Sequence, residues 1–129
     1  MASIKTNIGR EKLAQAHSGT KPLPQITHIA FGSGGTMLIE NKYAPKELTG
    51  AETTLFNEVI RKEPVKSFPD IYTARYSATI DADVDGLVGI DINEACLIDE
   101  EGDIVAIKTF TNKGLEEKTI IDFDYDAKF

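Results

Sequence analysis

Cysteine is almost missing from this chain. Cys96 stands alone among 129 residues, so no intramolecular disulfide and no thiolate zinc site can form. Tryptophan is absent, which leaves six Phe and four Tyr as the whole aromatic complement. There are two histidines, His17 and His28, and neither lies in a motif that ties it to a nucleophile or a metal partner. Both read as surface or structural residues. Basic residues are in the minority, fourteen against twenty-one acidic, for a net charge of -7. Such a surface repels phosphate backbones, and nucleic acid is not expected as a partner. No apolar run approaches the roughly 20 residues that cross a bilayer, and the start of the chain lacks the apolar stretch of a secretion signal. Membrane insertion is not expected.

What is present suits a soluble globular protein: 41% apolar and 27% charged residues, expected to form a single domain over 1–129. A short helix should open it, capped by Thr6 or Asn7, with Gly9, Leu13 and Ala16 on one face and Ser18-Gly19 as its end. Gly9 costs helix propensity but permits close packing on a neighbour. After Pro22-Leu23-Pro24, the run Gln25–Phe31 predicts a strand, with Ile29 and Phe31 on one side and Ile26, His28 and Ala30 on the other. Residues 36–50 show no clean period and predict a long surface loop, and Ala51–Asn57 one or two helical turns. Glu58–Phe68 can be extended, with Pro64 marking an edge or a bulge.

Strict alternation from Tyr72 to Asp81 is the clearest strand signal. A second strand is expected from Val88, with Val88, Ile90, Ile92, Cys96 and Ile98 on one side. Asp99-Glu100-Glu101-Gly102 should turn it back into Ile104–Ile107 as a hairpin, and Lys113-Gly114 marks another bend. The chain then alternates Ile121, Phe123 and Tyr125 with Asp122, Asp124 and Asp126. The expected fold class is α+β: a short N-terminal helix packed on a largely antiparallel sheet, with a C-terminal β-hairpin.

Chemical motifs are few. Gly32-Ser33-Gly34-Gly35 follows a strand, but Met37 occupies the position where a dinucleotide fingerprint needs glycine, and no Gly-Lys-Ser/Thr is present. A glycine-permitted sharp turn is the expectation. Asp81-Ala82-Asp83-Val84-Asp85-Gly86 matches the first half of a calcium loop, but Ile92 replaces the bidentate Glu and the upstream flank is a strand. It reads as a polar inter-strand turn. Cys96, among Ala95, Leu97 and Ile98, reads as core packing. Glu94 falls on the side of Ile92 and Cys96, so either a bulge turns it outward or a buried carboxylate finds a donor, with Arg61 and Arg75 as candidates. The three alternating aspartates suit a solvated sheet face or contact with lysines of an adjoining subunit. No catalytic, cofactor-binding or metal-ligating residue is assigned, and no enzyme is expected.

Several segments in order resemble the N-terminal domain of the phage tail-collar fibre family. They are Thr6–Ala14, the strand and glycine-rich turn Ile26–Gly35, Leu55-Phe56-Asn57-Glu58-Val59, and the hairpin Asn93–Ile107. Cys96 stands where the family commonly carries glycine. The resemblance implies a structural component of a virion, prophage or phage-tail-like particle, made in the bacterial cytoplasm and located in the tail. It also implies attachment of a receptor-binding fibre to baseplate proteins, other tail-fibre subunits as partners, a homotrimer, and no cofactor. Because nothing follows Phe129, the expectation is an attachment module, a truncated fibre or a small baseplate part. The alternative is a small carbohydrate- or cell-surface-binding module using Tyr43, Tyr72 and Tyr76 in place of the missing Trp.

Overall fold

The computed structural model describes residues 3–129. Its elements in chain order are β1 (Ile4–Lys5), α1 (Asn7–His17), β2 (Ile26–Gly32), β3 (Thr36–Ile39), β4 (Lys42–Pro45) and β5 (Glu58–Lys62). They continue with β6 (Val65–Asp70), β7 (Thr73–Asp81), β8 (Asp91–Asp99), β9 (Ile104–Gly114) and β10 (Ile120–Lys128). The expected α+β class is corrected. The chain is 52% strand and 9% helical, and its strands form three sheets, not one. These are a five-stranded sheet β1-β9-β8-β2-β5, a three-stranded sheet β10-β7-β6, and the two-stranded ribbon β3-β4. The reason is coverage. An 11-residue helix is too small to cover the central sheet, whose faces are closed by the second sheet and by a loop. All pairings are antiparallel.

The helix forms where expected. The Thr6 hydroxyl accepts from the Gly9 amide at 3.0 Å, and Gly19, at φ 74°, follows its end. Gly9 is required by close approach, since a Cβ there would collide with the Val105 carbonyl of β9. Strand β2 keeps the expected alternation at its centre, with Ile29 and Phe31 on one face and Ala30 on the other. A register shift between Ile26 and His28 brings Ile26 over to the Ile29 side.

Two cores result. Between the sheets, Ile29, Phe31, Ala95 and Leu97 meet Ile80, Phe123 and Tyr125, with the Phe31 and Phe123 rings edge to face at 5.0 Å. On the opposite face, Ala30, Cys96, Ile98 and Ile107 lie under Leu55 and Leu48 of the segment that precedes β5. Burial pushes the Cys96 thiol up to about 12, so it stays protonated and inert. Residues 92–99 are therefore buried on both faces.

Three of four local expectations are corrected, and the edge expected at Pro64 holds. Residues 36–45 are the β3–β4 hairpin; its two faces are both largely exposed, so no alternation marked it. Ala51–Asn57 is irregular, not helical. Pro64 divides Glu58–Phe68 into β5 and β6, edge strands of different sheets, so the chain changes sheet there. Val88 is 45% exposed in a turn, and β8 starts only at Asp91. A shift between Ile92 and Glu94 then puts Ile92 in the inter-sheet core, away from Cys96 and Ile98.

Candidate functional site

Glu94 organises the middle of the molecule. It is fully buried, and its carboxylate accepts three backbone amides: Phe56 at 2.8 Å on Oε1, and Gly34 at 2.9 Å and Asn57 at 2.8 Å on Oε2. Burial of such a group without donors costs several kcal/mol, and three converging amides offset it. The bulge and the buried carboxylate thus occur together. The expected arginine partners do not: Arg61 pairs with Glu58 at 2.9 Å and Arg75 with Asp126 at 2.8 Å. The neighbouring Asn93 completes the node. Its Oδ1 accepts from the Gly35 amide at 2.7 Å, and its Nδ2 donates to Ser33, Thr36 and Asn112.

The glycine-rich segment bends between β2 and β3 as a glycine-permitted turn, but it needs its glycines for space and not for a left-handed backbone. None of its glycines has positive φ. Gly35 is required by proximity, because a Cβ there would collide with the Asn93 carbonyl and come within 2.8 Å of the Glu94 Cβ.

This polar node forms the root of the β3–β4 ribbon. From β4 onward, the Lys46 amide donates back to the Gly35 carbonyl at 2.8 Å, and Thr109 Oγ1 donates to the Lys46 carbonyl at 2.7 Å. Beyond this root the ribbon presents Met37, Leu38, Ile39 and Tyr43, each 46–64% exposed. A second apolar edge comes from β6 and its turn: all six β6 residues are exposed, and Phe68, Ile71 and Tyr72 are 66–86% exposed. Contiguous exposed apolar groups on a fixed support mark contact surfaces.

A second buried polar joint fixes α1. Lys12 is buried, and its ammonium meets Asp99 at 2.6 Å, Asp103 at 2.8 Å and Glu101 at 3.1 Å. Burial opposes its charge, but these hydrogen bonds outweigh that and hold its pKa above the ordinary 10.5. The Asp99 Oδ1 also accepts from the Glu101 and Asp103 amides, so the hairpin turn and the helix share one carboxylate. Lys12 was not singled out in the sequence, where it looks like any polar helix residue. The acidic cluster at 99–103 was the available signal.

The other singled-out residues disperse. In the calcium-like loop, Asp85 takes the Lys62 ammonium at 2.9 Å and the Asp81 amide at 2.9 Å, while Asp81 accepts from Asp83 and Val84. A lysine therefore occupies the carboxylate a cation would need, and the loop is an inter-strand turn. Asp122, Asp124 and Asp126 bond across the strand pair to Thr79, Ser77 and Arg75. His28 Nδ1 lies 2.9 Å from Thr27 Oγ1, and His17 is exposed in the last turn of α1. Tyr43 belongs to the ribbon, Tyr72 to the β6–β7 turn, and Tyr76 is half-buried on β7, so the three rings lie on separate elements. Among the described residues, no group of three or more His, Cys, Asp or Glu is placed to hold a metal ion. None of their helices is long and apolar enough to cross a membrane.

A family model described as phage tail-collar fibre protein, N-terminal, matches residues 1–114. No curated protein and no solved structure matches the chain. The matched span carries Glu94, Asn93, Lys12 and both exposed apolar edges. Strand β10, which delivers Phe123 and Tyr125 to the inter-sheet core, lies beyond it.

Proposed function

The chain belongs to the phage tail-collar fibre N-terminal family, structural components of the virion tail, and from that premise we propose that it is an attachment module joining a fibre to baseplate proteins. It works by burying surface, without bond-making. The observation that carries this is the β3–β4 ribbon: its root is fixed by Asn93 and Glu94, and its exposed portion offers Met37, Leu38, Ile39 and Tyr43. Two strands cannot bury these groups between themselves, so an assembly partner does.

The exposed β6 edge is a second contact, suited to a neighbouring copy, and a homotrimer is the assembled form in this reading. Residues 1–129 act as one domain in this reading, since β10 and β7 share a core with β2 and β8.

The test is co-purification with tail particles and imaging of the chain within them. The double variant Leu38→Ser, Ile39→Ser should leave the isolated domain's unfolding midpoint within about 0.5 kcal/mol of wild type. It should also abolish incorporation into particles. Incorporation at the wild-type level would remove the ribbon from the interface, and a chain located away from the baseplate would end the attachment reading.

A further inference from the structure

A cleft of about 680 Å³ opens where α1 and the 23–26 segment face the ends of the two sheets. That is the size of a ligand-binding cleft. Its walls are apolar at Leu13, Ile26, Tyr76, Val105 and Phe129. Five lysines line it: Lys5, Lys12, Lys66, Lys108 and Lys128.

The charges here are unevenly committed. Lys12 is held by Asp99, Glu101 and Asp103. The acids that also line the cleft are likewise taken: Asp99 by Lys12, and Asp124 and Asp126 by the Arg75 guanidinium at 3.8 and 2.8 Å. Lys5, Lys66, Lys108 and Lys128, by contrast, have no carboxylate within 4.0 Å among the described residues. Four lysines without an ion pair therefore surround one apolar cleft on a chain of net charge -7, Lys5 lying over the Phe129 ring at 5.1 Å.

Lys108 is the most constrained of the four. Its ammonium lies 4.7 Å from the Tyr125 ring centroid and 4.9 Å from that of Phe123, held by ring faces where an ion pair would serve better. Burial lowers its pKa from the ordinary value, with Asp126 opposing that and Lys113 adding to it. A carboxylate entering the cleft would give Lys108 the direct ion pair that Asp126, acting on it only at longer range, does not.

We infer that this cleft is the docking site for an acidic, apolar peptide segment of another tail component: carboxylates to Lys66, Lys108 and Lys128, apolar side chains against Leu13, Tyr76 and Val105. The inference rests on the assembly reading only for the identity of the partner as a tail component. It does not depend on the β3–β4 ribbon or on the baseplate.

The experiment is fluorescence anisotropy on the full chain with a labelled peptide alternating leucine and glutamate. Controls alternate leucine with lysine, and glutamate with serine. Saturable binding of the first peptide at low salt is expected, weakened at least about tenfold by Lys66→Glu combined with Lys128→Glu. Both residues are exposed, so this variant should fold even if Lys108→Met does not. Three results would overturn the site: no saturable binding, equal binding of the leucine–lysine peptide, or an undiminished signal in the double variant. Displacement by millimolar inorganic phosphate would equally overturn it, marking a generic anion site. Particle incorporation is scored separately, so lost peptide binding with intact incorporation counts against the cleft alone.

Discussion

Strand β8 and the β3–β4 ribbon are tied together near their starts, where the Gly35 amide donates to Asn93 Oδ1 at 2.7 Å, and are opposites. Residues 92–99 are all buried, packed on one side against the second sheet and on the other beneath Leu48 and Leu55. In the ribbon, every residue from Met37 to Tyr43 is exposed. Both contain large apolar side chains, so hydrophobic content does not separate them. What separates them is whether the chain itself supplies a cover. Where it does, apolar residues stabilise the fold at roughly 25 cal/mol per Å² removed from water. Where it does not, the same residues remain available for burial in an assembly, which is the physical basis for assigning the ribbon to contact and β8 to folding.

The sharpest way to break the covered half is at its buried charges. Lys12→Ala would leave Asp99, whose side chain is 1% exposed, without its counter-charge. Removing one partner of a buried pair costs about 3–5 kcal/mol, read as a lowered urea midpoint. A pH signature accompanies it. Since the folded pKa of Lys12 lies above its ordinary 10.5, its contribution is complete below that pH and is lost as pH rises through the folded value. The wild type should therefore lose this contribution in alkali, and the variant should show no corresponding loss.

Glu94→Gln comes next. The amide keeps one acceptor but points an NH₂ at backbone donors, leaving at least one buried amide unsatisfied. The expected cost is about 2–4 kcal/mol. Because Gly34 and Gly35 depend on the Glu94–Asn93 node, amide exchange should also accelerate at the ribbon's root. A variant as stable as wild type would show that the node is incidental to the fold.

How much of this contrast could be read from the chain follows the same rule of coverage. Strands β7 and β10 were legible because one face of each is buried and the other meets water, which prints a period of two. The helix was legible because its Thr6 cap is local. The ribbon was not, since two exposed faces leave no period to find. Glu94 stood out as a misplaced carboxylate, but its partners are the backbone amides of Gly34, Phe56 and Asn57, and backbone groups carry no residue signature. The bulge at 92–94 was legible only as one of two ways to place Glu94, and Asn93 was not legible at all: a shift of one residue moves side chains between faces without changing composition. Lys12 was hidden by distance, its partner Asp99 lying 87 positions away.

A smaller effect is expected at the far end of the inter-sheet core. Lys62 donates to Asp85, and this holds the Asp85 carboxyl below its ordinary 3.8. A folded pKa below the unfolded one means the stabilisation is present above about pH 4 and is lost as pH falls through the folded value. Asp85→Asn should cost about 1 kcal/mol at neutral pH and flatten the acid limb of the stability profile. An unchanged acid limb would assign that dependence to other carboxylates.

The smallest change sharpens the uncovered half without touching the core. Glu40 and Asn41 form the β3–β4 turn with φ of 49° and 65°, both in the left-handed region. Two such residues make the turn whose twist suits a hairpin, and Asn tolerates that backbone far better than Glu. Glu40→Asn combined with Asn41→Gly should therefore stabilise the ribbon by about 0.5–1 kcal/mol. The gain should be local, seen as slower amide exchange at Ile39 and Lys42, the pair that closes the turn, with the global unfolding midpoint unmoved. A rise in the global midpoint would mean that ribbon and core unfold as one unit. The exposed apolar residues would then be coupled to the stability of β8 through Asn93 and Glu94, and contact made at the ribbon would be felt by the central sheet.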